Sequence, residues 1–394
     1  MINQNYKAML NNKSVIRELS EYATKRGKEI GYENVFDYSL GNPSVPVPKA
    51  FTDEMCKLIN ETDPMTLHGY SPSLGNPGFK AAVASSLNER FGMSYKPTHI
   101  FPTSGAAGAI AHALRAVTKP GDDVIVFAPF FPEYIPYIEG TGAHIKVVPA
   151  DTKAFQIDFE KLSESLDENV KAVLINSPNN PTGVVYSEAT VMELSKLLKE
   201  KSEKFGYNIY LISDEPYREI IFEGSTCPYP SKYYKYTLSC YSFSKSLSLP
   251  GERIGYVAAN PSDPDSETIV NMCGQISRGT GHNCPASLIQ QAVARVINLT
   301  ADLSVYETNM KLLYKELTDL NFEVVKPDGT FYIFPKAPEK DAVSFSQKAL
   351  KYDLILVPSD SFACPSYFRM AYCIDTEKVE RSLDALRKFV KNEY

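Results

Sequence analysis

From about residue 98 to 260 the chain alternates short apolar runs with longer amphipathic stretches. The runs are "HIF" near 99, "DVIVFAP" from 123, "HIKVVPA" from 144, "KAVLINSP" from 171, "NIYLISDE" from 208, "TLSCYSFS" from 237 and "IGYVAA" from 254. Helix-length segments separate several of them, notably 106–118 and 187–204. Continuous Val/Ile-rich runs spaced by helices predict an α/β fold, a mostly parallel sheet covered by helices on both faces. Such sheets bind ligands beyond the carboxyl ends of their strands. The chemistry is therefore expected in the residues that follow each run.

Past "IGYVAA" the pattern changes. Helical periodicity covers 265–278 and 285–320, and short runs ("FEVV", "FYIFP", "LILVP", "FRMAY") then alternate with helices up to an amphipathic stretch at 376–391. This predicts a second, smaller α+β unit. "GNPSVPVP" reads as a Gly/Pro-rich crossover into the large unit. The expected division is a large domain at 46–299 and a small domain made of 1–45 and 300–394.

Composition narrows the classes. With 394 residues, 43% hydrophobic and 22% charged, the chain has the make-up of one large or two medium soluble domains. A net charge of −6 argues against a surface for nucleic acid or anionic membrane. Seven scattered cysteines without a C-x-x-C pair predict reduced thiols and a cytoplasmic setting. Five histidines without H-E-x-x-H or Cys/His spacing predict no metal site. "MINQNYKAML" lacks the apolar centre of a signal peptide. "VIVFAPFF" falls well short of the roughly 20 residues of a membrane helix.

The residues behind the runs come in a telling order. "PTSGAAGAI" sets Ser104, Gly105 and Ala106 at a helix start, where backbone N–H groups can meet an anion. Taken alone, a plain helix start is the simpler reading. "APFFPEY" leaves Phe131 just past a strand, as a core residue or as a face for a flat ring. "NSPNNPTG" at 176–183 is a rigid loop that could aim Asn180 at a ligand, although such clusters are usually turns. "SDEPY" ends a buried strand on Asp214, with Tyr217 three residues on; a carboxylate there needs a positive partner or several donors. "SFSKSLSLPGERIGY" places Lys245 among small hydroxyl residues, followed by Arg253. A lysine by itself is normally a surface residue. One ligand uses the whole set. Pyridoxal phosphate needs donors and an arginine for its phosphate, a stacking face for its ring, a carboxylate for its ring nitrogen and a lysine for its aldehyde.

From about residue 30 onward the chain resembles the class I/II aminotransferases of pyridoxal-phosphate fold type I, close to the aspartate aminotransferase branch. "NSPNNPTG", "SDEPY", "SFSKSLSLPGERIGY" and "FRMAY" occur in the family's order. The resemblance implies that Lys245 forms the cofactor imine and moves the proton at the substrate's Cα. It implies that Asp214 pairs with the ring nitrogen and that Tyr217 and Asn180 bind the ring oxygen. Phe131 would stack on the ring, where relatives often carry Trp or Tyr. Ser104, Gly105, Ala106, Ser242 and Arg253 would hold the phosphate, and Tyr70 of "HGYSPSLGNPGFK" would reach the phosphate of the neighbouring subunit in a homodimer. Arg369 would bind the substrate α-carboxylate, beside Asn180 and Gly41 of "LGNP". Arg278 of "ISRGTGHNCPAS" lies where dicarboxylate-specific relatives take an arginine from the partner subunit, or is a solvated helix end. Ser246 and Ser248 are left without a role.

The implied reaction moves an amino group from an L-amino acid to a 2-oxo acid such as 2-oxoglutarate. Aspartate is the favoured donor, with aromatic amino acids or alanine open. A carbon–sulfur β-lyase of the cystathionine type uses the same scaffold and is the alternative. A transcription regulator with this fold would carry a separate basic DNA-binding segment, and none is seen before residue 30.

Overall fold

The structure is a computed structural model that describes Ile2, Gln4, Lys7, Leu10 and residues 14–394. Much of the segment read above for a leader, and the beginning of the 1–45 span, lies outside the described residues. Among the described residues twelve strands follow in chain order: β1 (Phe36–Asp37), β2 (Ile100–Thr103), β3 (Asp123–Phe127), β4 (His144–Val148), β5 (Val170–Asn176), β6 (Tyr210–Asp214), β7 (Thr237–Ser242), β8 (Gly255–Ala259), β9 (Tyr332–Ile333), β10 (Leu354–Ile355), β11 (Val357–Pro358) and β12 (Phe368–Ala371). The chain divides into two compact units. One comprises Val45–Asn180 and Val184–Leu303; the other comprises Met1–Ser44, Pro181–Gly183 and Ser304–Tyr394.

The larger unit holds a seven-stranded sheet in the order β2-β8-β7-β6-β5-β3-β4. Strands β3 to β7 run parallel. Strand β8 is antiparallel to both its neighbours. The reversal follows from the short connection at 243–254, which leaves no room for the crossover helix of a parallel return. Side chains alternate between two buried faces. Val124, Val126, Leu174, Ile212, Leu238 and Val257 pack on one side. Ile125, Phe127, Val173, Ile175 and Leu211 pack on the other. That is why these strands read as continuous apolar runs rather than as an alternating pattern. Each buried Val, Leu or Ile contributes about 1.5–3 kcal/mol, so the strand ends are fixed to a rigid platform. Helix Gly105–Val117 covers the first face, and helix Glu188–Phe205 lies on the second.

The smaller unit pairs β1 with β10 in parallel and β11-β12-β9 in antiparallel. Helices Val15–Ile30, Ser304–Asp319, Ala342–Ala349 and Thr376–Glu393 accompany them. Two expectations need correction. "FEVV" lies outside the strands, with the Glu323 carbonyl accepting from Lys336 N at 2.9 Å. The helical stretch at 285–320 is two helices, Ser287–Arg295 and Ser304–Asp319. Between them the backbone is used elsewhere: Ala301 N donates to Ser246 O at 2.7 Å, and Ser86 Oγ donates to Asn298 at 2.6 Å. Among the described residues no helix is long and apolar enough to cross a membrane.

Candidate active site

Sheet register decides which residues meet. Asn176 pairs with Asp214, Asp214 with Cys240, and Ser242 and Thr103 both pair with Gly255. The carboxyl ends of β2, β5, β6 and β7 therefore share one edge with the start of β8. At strand spacing this edge is roughly 20 Å wide. Ser104, Asn180, Tyr217, Lys245 and Arg253 all leave from it.

At the β2 end, Gly105 opens the helix with φ +73°, a conformation that favours glycine. A Cβ there would come within 2.8 Å of Arg253 Nη2. Arg253 is itself left-handed, with φ 51°. Its guanidinium donates to Pro250 O at 2.9 Å and to Ser104 O at 3.3 Å. A cation thus lies at the N-terminus of a 13-residue helix whose first backbone N–H groups, including that of Ala106, lack intrahelical partners. The arrangement is a cradle for a phosphate. Gly255 is required as well, because a side chain there would strike the Tyr241 carbonyl and the Gly105 backbone.

At the β6 end, Asp214 is 5% exposed. Tyr134 Oη donates to its Oδ2 at 2.5 Å. Asn176 Nδ2 donates to its backbone O at 2.9 Å and reaches Oδ2 at 3.4 Å. Among the described residues Oδ1 has no hydrogen-bond partner. Burial pushes the carboxyl up to about 7; the Tyr134 hydrogen bond opposes the rise and the neighbouring Glu215 charge adds to it. Leaving a buried acceptor unmatched costs about 1–3 kcal/mol. A cationic N–H donor would match it. Asn176 also accepts from Asn180 N at 2.7 Å through Oδ1, so one amide ties the β6 end to the "NSPNNPTG" loop. Phe131 is half-buried and stands edge-on to Tyr134 at 5.8 Å, while Tyr217 is buried.

Lys245 is half-buried in a single helical turn, Phe243–Ser246. Ser242 caps the turn, accepting from Ser244 N at 3.1 Å, and its hydroxyl lies 2.6 Å from Ser244 Oγ. Beyond the lysine, Ser246 Oγ meets Tyr241 Oη at 2.7 Å, and Tyr241 meets Glu219 at 2.8 Å. Ser248, at φ 57°, donates to Val45 O at 2.5 Å. The two serines without an expected role hold the lysine's loop in place. Tyr70, fully exposed, and exposed Arg278 line one cavity of about 410 Å³ together with Asn283 and Cys284.

In the smaller unit, Arg369 lies on β12 and is 1% exposed. Its guanidinium sits 4.7 Å from the centre of the Tyr332 ring and 5.2 Å from that of Phe362. It donates to Ser39 O at 2.5 Å. Gly41 faces the Tyr332 hydroxyl so closely that a Cβ would overlap it. Tyr134, Asn176, Tyr332 and Phe362 are contributors the sequence reading missed. Tyr134 stands in the quoted "APFFPEY", yet its partner Asp214 is 80 positions away and no local spacing links them.

A twice-covered, mostly parallel sheet with a phosphate cradle, a buried carboxylate and a lysine turn along one edge defines a cofactor-dependent α/β enzyme. The aminotransferase class I and II family model matches residues 33–386, and the chain belongs to that family. A crystal structure of an aminotransferase from Eubacterium rectale is 42% identical, with TM-score 0.96 over 99% of this chain and 98% of that one. Aspartate aminotransferase from Thermotoga maritima is 28% identical at TM-score 0.86, covering 96% and 98%. A probable N-acetyl-LL-diaminopimelate aminotransferase from Bacillus subtilis is 29% identical over 91% of this chain and 90% of that protein. The chain is a pyridoxal-phosphate-dependent transaminase, and these relatives favour transamination over the β-lyase alternative. The cofactor suits the residues present: Asp214 Oδ1 awaits a donor, and the Gly105–Arg253 cradle awaits an anion.

Proposed function

We propose that the chain moves the amino group of an L-amino acid, with aspartate the favoured donor, to a 2-oxo acid such as 2-oxoglutarate. The observation that carries this reading is the buried, unmatched Asp214 Oδ1 on the same sheet edge as the Lys245 turn and the Arg253 cradle. When bound, pyridoxal phosphate supplies an electron sink for negative charge at the amino acid's Cα.

The chain's own residues do the rest. Asp214 keeps a proton on the ring nitrogen, and Asn180 and Tyr217 donate to the ring oxygen. Phe131 covers one ring face. Ser104, Gly105, Ala106, Ser242 and Arg253 hold the phosphate. Lys245 would hold the cofactor through its aldehyde and, once the substrate's amino group has displaced it, its free amine would accept the proton from Cα and return it. Arg369 grips the α-carboxylate through two parallel N–H donors, with Asn180 and Gly41 on the same substrate group. Tyr70 and Arg278 act in a partner subunit's site within a homodimer, Tyr70 on the phosphate and Arg278 on a distal carboxylate. Their shared cavity supports a joint task. The larger unit, close to the expected 46–299, serves as the cofactor domain, the smaller unit takes up most of 1–45 and 300–394, and the enzyme works in the cytoplasm.

The test is a half-reaction screen of the loaded enzyme against single amino acids. Aspartate should convert the bound cofactor to pyridoxamine phosphate fastest. Release of pyruvate and ammonia from L-cystathionine, with no amino acid giving the amine form, would overturn the reading. Lys245→Ala should abolish the near-visible band of the lysine-bound cofactor, and an unchanged spectrum would remove Lys245 from its role.

A further inference from the structure

The buried contact between Tyr134 and Asp214 has a use beyond packing. Asp214 has two oxygens and they are treated differently. Oδ2 accepts from Tyr134 Oη at 2.5 Å and lies 3.4 Å from Asn176 Nδ2, whereas Oδ1 has no partner among the described residues. Tyr134 is 1% exposed, so no water competes for its hydroxyl. It lies in the short helix Tyr134–Glu139, packed in the same core as β3, β5 and β6. Its ring is wedged between Phe130, parallel at 6.4 Å, and Phe131, edge-on at 5.8 Å. The hydroxyl is therefore aimed by the core and not by solvent.

From this geometry we infer that Tyr134 is a positioning residue that commits Oδ1 of Asp214 to the cofactor's ring nitrogen and keeps the shared proton on that nitrogen. The inference rests on the assignment of Asp214 to the ring nitrogen made above. Two physical effects combine. A phenol bound to Oδ2 blocks rotation of the carboxyl about its last bond, so the free oxygen points one way only. A donor on a carboxylate also stabilises its ionised form, which makes Asp214 a weaker base toward the proton it shares. The groups facing the carboxyl are consistent with this. Burial and the Glu215 charge favour protonation, and the Tyr134 hydrogen bond opposes it. Asn176 holds the backbone beneath the carboxyl at 2.9 Å, and its longer 3.4 Å approach goes to the same Oδ2 that the phenol binds at 2.5 Å.

The experiment uses holoenzyme loaded with pyridoxal phosphate labelled with 15N in the ring, in wild type, Tyr134→Phe, Asp214→Asn and the double variant. Tyr134→Phe should weaken cofactor binding roughly tenfold, the loss expected for one hydrogen bond to a charged group. It should also move the ring 15N resonance toward its unprotonated position. In the Asp214→Asn background the same change should alter affinity less than about twofold, because the two residues act as one unit. Equal losses in both backgrounds, or an unmoved resonance in Tyr134→Phe, would overturn the positioning role. An unmoved resonance in Asp214→Asn would instead overturn the assignment of Asp214 itself. Should Tyr134→Phe not take up the cofactor, 3-fluorotyrosine at position 134 reads the same coupling. Its more acidic phenol should shift the resonance toward the protonated position, and no shift would count against the inference.

Discussion

Asp214 is a buried carboxyl under tension. Its carboxyl is held near 7 by burial, against about 3.8 for an ordinary aspartate. A carboxyl with a raised folded value binds its proton more tightly in the native state than in the unfolded one. Stability without cofactor should therefore fall as pH rises from about 4 to 7, by an amount on the order of 4 kcal/mol. Cofactor-free Asp214→Asn should melt above cofactor-free wild type at pH 8, and the gap should close near pH 4. Melting curves that rank the two the other way at pH 8 would remove the buried-carboxyl argument. Arg369 makes a complementary case. Its planar head lies against Tyr332 and Phe362, a setting that a lysine ammonium does not reproduce. Arg369→Lys should raise KM for the amino donor tenfold or more while the bound-cofactor spectrum stays as it is. An unchanged KM would place the α-carboxylate elsewhere.

Among the elements, the two ends of β5 and β6 are joined by a single amide. Asn176 donates to Asp214 O and accepts from Asn180 N, so its removal loosens a strand end and a loop together. Asn176→Ala should cost about 1–3 kcal/mol of cofactor-free stability and weaken cofactor affinity. Loss of stability alone would reduce it to a structural tie. The strand ends themselves were readable, because a strand buried on both faces stops where polar residues begin. Asp214, Asn180 and Lys245 are legible in the sequence for that reason. What joins them was not readable. Asn176 looked like a turn residue, and its tie to Asp214 spans 38 positions. "FEVV" shows the opposite failure: four residues of strand character find no ladder, since pairing partners are set by tertiary context. The 285–320 stretch kept its helical period across a break that Ala301 and Asn298 impose through distant partners.

For the whole molecule, the cavity shared by Tyr70 and Arg278 gives the proposed homodimer a direct test. Arg278→Ala and Lys245→Ala should each be inactive toward aspartate. Mixed during refolding or co-expression, they should regain about a quarter of wild-type activity, since half the dimers are hybrids and each hybrid has one intact site. No recovery, with hybrids present, would confine Arg278 to its own chain. The division of the chain has a different consequence. The large unit's sequence is interrupted by three residues, Pro181–Gly183, that belong with the smaller unit, where Gly183 O accepts from Asp328 N at 2.9 Å and Gly329 N at 3.0 Å. No single cut separates the two, and a chain ending at Leu303 would keep a tripeptide whose partners are gone. Such a protein is inherited, truncated or recombined as one indivisible text, and its two halves are not exchangeable modules.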